Sequence, residues 1–286
     1  MALASTNASD ISAPAQRLLS LDAFRGATIL AMILVNNPGD WSNLYWPLGH
    51  AAWHGWTPTD LIFPFFLFIV GTSLAYSLRK YRELGGATPE LYARIIRRTC
   101  TLFLLGVGMA LFGHACDRCF GDEETLALGR LRYLGVLQRI ALVYFFASLI
   151  ALKIRVAGQV VLAATILLGY LALLAWFPSS GDYPSNLSPA GNVVRQVDLQ
   201  VIGADHMYTQ AEREKTEPEG LLSTLPAIVT ALLGYWTGLV IQRRGANWHA
   251  IIILFACGLA LAAVGLLWNQ IYPINKKLWT SSFVLL

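Results

Sequence analysis

The sequence predicts an all-α protein, a polytopic transmembrane helical bundle with about seven complete spans and the start of an eighth. Of its 286 residues, 56% are hydrophobic and only 13% are charged, which leaves too few polar side chains to cover a soluble globule. Uninterrupted apolar runs of about 20 residues, the length of a bilayer crossing, recur along the chain. The first residues are small and polar and lack the basic start and apolar run of a cleaved signal peptide.

The apolar runs lie, in order, at about 22–37, 60–79, 98–114, 133–152, 157–177, 222–241 and 249–270. An eighth run begins at Leu278 but reaches only Leu286, which is too short to cross a hydrocarbon core. We therefore expect one transmembrane domain over 17–286, incomplete at its C-terminus, preceded by a disordered cytoplasmic tail over 1–16. A polar loop at about 178–221 is long enough to fold over one face of the bundle as a cap.

Basic residues predict the orientation of the bundle. With the N-terminus inside, twelve Lys and Arg residues fall on the cytoplasmic side in short loops and eight fall on the outer side. The loop between the first two spans has none, so the positive-inside rule places it, and the 178–221 loop, outside. We therefore expect a multi-pass protein of the inner (plasma) membrane, surrounded by lipid. The net charge of +4 is accounted for by these loops and indicates no nucleic-acid partner.

The stretch from Asn36 to Phe68 is the most informative for function. A loop rich in Trp, Gly and Pro, carrying His50 and His54, runs through Asp60 into an apolar helix. A histidine with a carboxylate ten residues later, on a loop folded onto the top of a helix, can form a His–Asp dyad in which one ring nitrogen is oriented and the other takes a proton. The Asn36 amide could donate to an oxyanion. The structural alternatives are a helix-capping histidine and Asp60 as a helix N-cap, which is compatible with catalysis.

Common catalytic and metal-binding signatures are missing from the sequence. There is no G-x-S-x-G, H-E-x-x-H or Walker loop. Cys116 and Cys119 form a C-x2-C in a polar loop, but no second pair of Cys or His stands at metal-ligand spacing. We predict no metal site, and the sequence leaves open whether these two cysteines form a disulfide.

Clustered cations form a second candidate site. Residues 79–98 carry six of them in the predicted cytoplasmic hairpin: Arg79, Lys80, Arg82, Arg94, Arg97 and Arg98. This density could hold a phosphorylated ligand, or it could be an ordinary positive-inside anchor. Arg139 lies inside the fourth span, where it needs a carboxylate or a ligand phosphate as a partner unless it anchors at the interface.

Two weaker patterns occur in the second half of the chain. The long loop carries four titratable candidates that we expect to be solvated: Asp205, His206, Glu217 and Glu219. In the sixth span, Gly234 and Gly238 have the G-x3-G spacing that permits close helix packing.

Several sequence blocks together resemble the heparan-alpha-glucosaminide N-acetyltransferase catalytic family, and more closely its bacterial members. The blocks are RLLSLDAFRG, LVNNPG, HAAWHGWTPTDLIFPFFLFIVGTSLAYSL, EGLLSTLPAIVTALLG and NKKLWTSSFVLL. The likeness runs from about Arg17 to the last residue, is most diagnostic in its first part and is weakest in the long loop.

The resemblance implies a membrane acetyltransferase that moves acetyl from cytoplasmic acetyl-CoA to the amine of a glucosamine-type sugar on the outer side. By position in the motif, His50, Asn36 and Asp60 match the family's active-site residues, whereas His54 matches no functional residue. From charge, the phosphates of coenzyme A would bind a set of cations: Arg79, Lys80, Arg97, Arg98 and Arg139.

A sugar permease is the alternative function. Its support is the crowding of Trp41, Trp46, Trp53 and Trp56 at one mouth of the bundle, because indole faces suit sugar rings. The same tryptophans also fit an interfacial aromatic belt. A membrane scaffold without ligand chemistry is a third, weaker interpretation, and a homodimer is compatible with the sequence.

Overall fold

A computed structural model describes residues 19–83, 86–120, 128–177, 187–208, 216–245 and 247–286. The predicted tail over 1–16 lies outside these residues. In the described ranges the α-helices are α1 (Leu19–Asn36), α2 (Pro58–Ser77), α3 (Arg79–Glu83), α4 (Pro89–Phe120), α5 (Val136–Lys153), α6 (Val156–Trp176), α7 (Val193–Val201), α8 (Leu221–Arg244), α9 (Trp248–Trp268) and α10 (Ser281–Leu285). Three short 3₁₀ turns lie at Trp46–Leu48, Leu128–Arg130 and Ala204–His206.

The predicted all-α bundle is confirmed. Seven helices are long and apolar enough to cross a membrane: α1, α2, α4, α5, α6, α8 and α9. No β-sheet forms within the described ranges. The segment predicted to start an eighth span forms α10, a five-residue helix whose side chains from Ser281 to Val284 are buried in the bundle.

The third span differs from its predicted bounds of 98–114. Helix α4 has 32 residues, about 48 Å at the usual rise, so it exceeds the thickness of a hydrocarbon core. The helix begins earlier than predicted because Pro89 suits a first helical position. In addition, Arg94, Arg97 and Arg98 all have exposed side chains, so the helix includes them without burying a charge.

The Cys116–Cys119 pair was also misplaced by sequence reasoning. It lies in the last turns of α4 and not in a polar loop. No disulfide joins the two cysteines in this structure.

Helices α2 and α8 form the centre of the bundle through close backbone contact. A methyl group added at Gly71 would overlap the carbonyl oxygen of Ala231, and one added at Gly234 would overlap that of Phe68. The hydroxyl of Thr72 donates across the contact to the carbonyl oxygen of Gly234 at 3.1 Å. The small-residue spacing in α8 therefore marks a helix interface, as predicted.

The outer helices present apolar side chains on the surface of the bundle. Leu30 of α1, Phe112 of α4 and Phe255 of α9 are among the large hydrophobic residues that are exposed. A surface this apolar fits a lipid environment.

One end of the bundle, called here the His50 end, gathers the segments that build the candidate site. Helix α1 ends there, α2, α5 and α8 begin there, and the turn between α9 and α10 returns there. Part of the 178–221 loop also covers this end. Val193 and Val194 of α7 pack in a cluster with Tyr170, and Trp53 Nε1 donates to the carbonyl oxygen of Leu187 at 2.7 Å. The helix within this loop was not predicted.

Candidate active site

Asp60 is buried at the start of α2, with only 1% of its surface exposed. Its Oδ2 atom accepts the backbone N–H of Ala51 at 3.0 Å and that of Thr57 at 3.1 Å, and it lies 3.1 Å from the Thr57 hydroxyl oxygen. Thr57 is the N-cap residue and Asp60 is the third helical residue of a capping box. The sequence alternative in which Asp60 is the N-cap is therefore wrong, because the N-cap lies three residues earlier, at Thr57. The Asp60 carboxylate still accepts the backbone N–H of Thr57 at this helix terminus.

His50 lies directly against this carboxylate. Its Nδ1 atom is 2.7 Å from Asp60 Oδ1, and about half of its side chain is exposed. Two hydroxyl groups from the start of α2 fix the loop that carries it. Thr57 donates to the carbonyl oxygen of Gly49 at 2.7 Å, and Thr59 donates to that of Pro47 at 2.8 Å. The structure therefore brings together the two groups that the spacing in the sequence suggested as a dyad.

The contact with Asp60 determines which ring nitrogen of His50 can accept a proton. When Nδ1–H donates to the Asp60 carboxylate, Nε2 keeps its lone pair and can accept a proton. Since Asp60 is fixed by several donors, the imidazole is oriented by a carboxylate that is itself held in place. This arrangement suits a general base or a nucleophile.

Lys276 is the third member of the site, and sequence reasoning missed its role. Its Nζ atom lies 3.2 Å from Asp60 Oδ1 and 3.2 Å from His50 Nδ1. Burial lowers the pKa of Lys276, while the negative charge of Asp60 acts in the opposite direction. The lysine therefore places a cation, or a donor, beside the carboxylate.

The turn between α9 and α10 positions Lys276. Asn275 is fully buried, and its side-chain oxygen accepts the N–H of Leu278 at 2.9 Å. The N–H of Gly55 donates to the carbonyl oxygen of Ile274 at 2.8 Å, which ties this turn to the His50 loop. The only signal for the lysine in the sequence was its place in the block NKKLWTSSFVLL.

His54 lies beside the dyad but faces the same turn. Its Nδ1 atom is 3.4 Å from Asn275 Nδ2, and burial lowers its pKa. This contact gives His54 a structural role in joining the two loops, in agreement with the resemblance, which assigned it none.

Two adjoining cavities open beside His50. One, of about 230 Å³, lies between α1, α2 and α5 and is mainly apolar. The other, of about 320 Å³ and called here the polar cavity, is lined mainly by polar and charged residues. Asn36, His50, Glu219 and Lys276 line both. Asn36 therefore reaches the same space as the dyad, although none of its hydrogen bonds in the described residues joins it to His50 or Asp60. Such a mixed cavity suits a ligand with apolar and polar parts.

An ion cluster forms the wall of the polar cavity. Arg132 donates through Nε to Glu217 at 3.0 Å and through Nη2 to both Glu217 and Glu219. Glu217 also accepts the N–H groups of Tyr208 at 3.0 Å and Glu219 at 3.2 Å. The expectation that Glu217 and Glu219 are solvated is therefore wrong, because the long loop folds back and buries them against Arg132.

His206, another candidate from the long loop, is also held in place. Its ring stacks on Tyr133 with 3.9 Å between the ring centroids, and its Nδ1 lies 2.8 Å from the carbonyl oxygen of Leu131. These contacts secure the loop.

The five cations predicted to bind a phosphorylated donor do not form one group. Arg79 pairs with Glu83 at 2.8 Å, and Arg98 lies 4.7 Å above the ring of Tyr144. Arg79 and Lys80 lie at the opposite end of the bundle from His50, after α2. Arg97 and Arg98 lie further along, since Tyr144 is near the middle of α5. The 20 residues of α2 separate the two ends by about 30 Å.

Arg139 is at the His50 end and is 1% exposed. It donates to the carbonyl oxygen of Gly220 at 3.2 Å and to the hydroxyl of Ser223, and its guanidinium lies 5.0 Å above the ring of Trp279. In the described part of the chain, no group of three or more His, Cys, Asp or Glu side chains could hold a metal ion.

Comparison with known proteins places the chain in a family. Residues 17–265 match the family model described as "Heparan-alpha-glucosaminide N-acetyltransferase, catalytic". The chain belongs to this family. It is 29% identical to the human heparan-alpha-glucosaminide N-acetyltransferase over 326 aligned residues, which cover 96% of this chain and 47% of the human protein. It is 28% identical to the mouse protein of the same name, over 94% of this chain and 47% of that protein.

The chain thus spans about half the length of the curated relatives that it matches. The match to the heparan-alpha-glucosaminide N-acetyltransferase family includes α1, α2, α5 and α8 but ends at residue 265, before the turn that carries Lys276. His50, Asp60 and Asn36 all lie inside the matched range.

Proposed function

We propose that this chain is a membrane-embedded acyltransferase that moves an acetyl group from acetyl-CoA to the amine of a glucosamine-type sugar. Membership of the family supports the reaction class. The observation that carries the proposal is the 2.7 Å contact between His50 and a buried carboxylate, at a cavity of a size that admits a small ligand.

In the proposed reaction, His50 acts as the general base. The acceptor's ammonium gives a proton to Nε2, and the neutral amine attacks the carbonyl carbon of the thioester. The C–N bond forms, the C–S bond breaks, and the imidazolium returns the proton to the thiolate of coenzyme A. The acylated nitrogen then gives its excess proton to the regenerated imidazole, which releases it to water. Asp60 holds the ring in the required tautomer, and Lys276 lies beside that carboxylate.

A covalent route uses the same residues. His50 could attack the thioester first and carry the acetyl group to the amine as an acetyl-imidazole. In both routes, Asn36 lines the cavity from the end of α1 and would donate to the carbonyl oxygen as negative charge develops on it.

The donor's phosphates would bind at the opposite end of the bundle. Arg79 and Lys80 are exposed there, and Arg97 and Arg98 are exposed within the first three turns of α4. These side chains offer the donors that phosphate groups need. Arg139 was proposed with them from the sequence, but its contacts with Gly220 and Ser223 favour a structural role in holding α5 against the start of α8.

The proposed topology has a cytoplasmic N-terminus in the inner membrane and the His50 end outside. It is tested in a background without the four cysteines, by labelling Ala52→Cys with an impermeant thiol reagent in intact cells. Ala52 is exposed in the His50 loop, and Ala93→Cys at the opposite end is the matched control. We expect labelling of Ala52→Cys before lysis and of Ala93→Cys only after it. The reverse pattern would invert the topology.

The reaction is tested with the purified chain in liposomes, supplied with labelled acetyl-CoA and glucosamine. We expect acetyl transfer that His50→Ala abolishes and His249→Ala preserves, since His249 is exposed at the start of α9, at the opposite end. If no acetyl is transferred, and glucosamine uptake survives the His50→Ala change, the chain is a permease instead.

A further inference from the structure

Glu219 is the carboxylate that the ion cluster presents to both cavities beside His50. Its side chain is 12% exposed, whereas that of Glu217 is fully buried. Glu217 accepts from Arg132, from Tyr208 and from the backbone of Glu219, so its oxygens are occupied in holding the cluster. Glu219 is therefore the carboxylate of the cluster that a ligand in the cavity can reach, whereas Arg132 lines the polar cavity as its partner.

The charges around the polar cavity favour a cation at Glu219. Arg132 is shared between two carboxylates, so these three groups together carry one excess negative charge. Lys276 and Lys277 also line the cavity. The ammonium group of Lys276 is 3.2 Å from the Asp60 carboxylate, and that of Lys277 donates to the carbonyl oxygen of Ala52 at 3.1 Å. An ammonium group that enters the cavity can thus pair with Glu219 without displacing either of these contacts.

Two aromatic rings line the same cavity as Glu219. Trp53 is fixed by its hydrogen bond to the carbonyl oxygen of Leu187, and Tyr208 lies under the guanidinium of Arg132 at 4.7 Å. Fixed aromatic rings offer flat apolar surfaces to a sugar ring. A carboxylate beside two such rings matches a ligand that combines a pyranose ring with a positive charge.

We infer that Glu219 binds the ammonium group of an amino-sugar acceptor in the cavity lined by Trp53 and Tyr208, and so presents the nitrogen to His50. This inference rests on the proposed function and assigns it a residue for recognition of the acceptor. Arg132 and Glu217 position Glu219, and Glu217 does not line the cavity.

The test compares Glu219→Gln, which keeps the shape of the side chain but removes its charge, with Glu219→Asp, which keeps the charge. Glu90→Gln is the control, since Glu90 is exposed at the opposite end. For each variant the KM values for glucosamine and acetyl-CoA are measured, together with protection of the purified chain against thermal unfolding by glucosamine and by glucose.

For Glu219→Gln we expect the KM for glucosamine to rise by about tenfold or more, as for the loss of one charged contact, with little change in the KM for acetyl-CoA. Glucosamine should no longer protect the protein better than glucose does. Glu219→Asp should restore part of this preference, which a purely structural role would not explain. Unchanged preference for glucosamine in Glu219→Gln would overturn the inference while leaving the proposed reaction intact. If the unaltered chain binds glucosamine through Glu219 but transfers no acetyl, the proposed reaction fails and the binding site stands.

Discussion

The ammonium nitrogen of Lys276 lies 3.2 Å from Asp60 Oδ1, although 216 residues separate the two in the chain. The same oxygen faces His50 Nδ1 at 2.7 Å, and the other carboxylate oxygen accepts two backbone N–H groups, those of Ala51 and Thr57. A buried carboxylate surrounded in this way is held rigidly and is compensated in charge. The orientation of His50 therefore depends on a residue from the far end of the sequence.

Replacing Lys276 by Met should lower turnover by about ten- to a hundredfold, the effect expected for a charged hydrogen bond worth roughly 1.5–3 kcal/mol. The apolar stem is kept, but Asp60 loses its cationic neighbour. The measurement is kcat for acetyl transfer in liposomes, with Lys153→Met as the control because Lys153 is exposed at the opposite end. Full activity in Lys276→Met would limit the lysine to a structural role.

Asp60→Asn should lower turnover by about 10² to 10⁴-fold, the range typical of lost acid–base catalysis. An amide can no longer hold His50 as the carboxylate does, so the imidazole loses its preferred tautomer. Binding of coenzyme A, measured separately by calorimetry in detergent, should change little. Equal losses of turnover and binding would mean instead that the change mainly damages the start of α2, where Asp60 accepts the N–H of Thr57.

Gly234→Ala should destabilise the bundle strongly, because the added methyl group would overlap the carbonyl oxygen of Phe68 in α2. Both partners at this contact are backbone, so neither can move without shifting a helix. Gly108→Ala is the matched control, since nothing lies within 4 Å of a methyl group added there. Thermal unfolding in detergent should show a clear fall in Tm for Gly234→Ala alone, and equal Tm values would contradict the packing of α2 on α8.

Asp198→Asn should remove a pH dependence of stability between about pH 4 and pH 7. Burial raises the pKa of Asp198 to about 7. The hydrogen bond from the N–H of Leu221 acts in the opposite direction but is the smaller effect. In this window the folded protein holds a proton that the unfolded chain has released, so stability falls as the pH rises. Asparagine keeps an acceptor for Leu221 without titrating.

The corresponding measurement is Tm at pH 5 and pH 7. The unaltered chain should lose several degrees more than Asp198→Asn between these two values. A larger loss in the variant, or identical losses, would show that Asp198 is ionised in the folded protein throughout the window.

The membrane spans and the His50–Asp60 contact could be predicted because both depend on residues that are close together in the sequence. Apolar runs identify helices directly, and a ten-residue loop ending at a helix start keeps His50 close to Asp60. The first residue of α4 was harder to predict. Arg94 and Arg97 look like loop residues in the sequence, and only the structure shows that they lie on an exposed face of the helix.

Contacts between distant parts of the chain could not be predicted in this way. Lys276 resembled any interfacial cation, and Glu217 resembled a solvated residue of a long loop. Their positions are set by the turn after α9 and by the loop that folds back onto Arg132. Because one sequence carries no record of which distant residues touch, only the folded chain shows that these charges are paired.

The backbone hydrogen bond between Gly55 and Ile274 also has a consequence for biosynthesis. Helices enter the membrane in the order of translation, so His50 and Asp60 are inserted long before the ribosome reaches Lys276. Throughout that interval Asp60 lacks its contact with Lys276, and the loop that carries His50 lacks the segment around Ile274 that later binds it. A nascent chain arrested at α9 would therefore hold all seven long helices of the described residues and still lack the contact of Lys276 with Asp60.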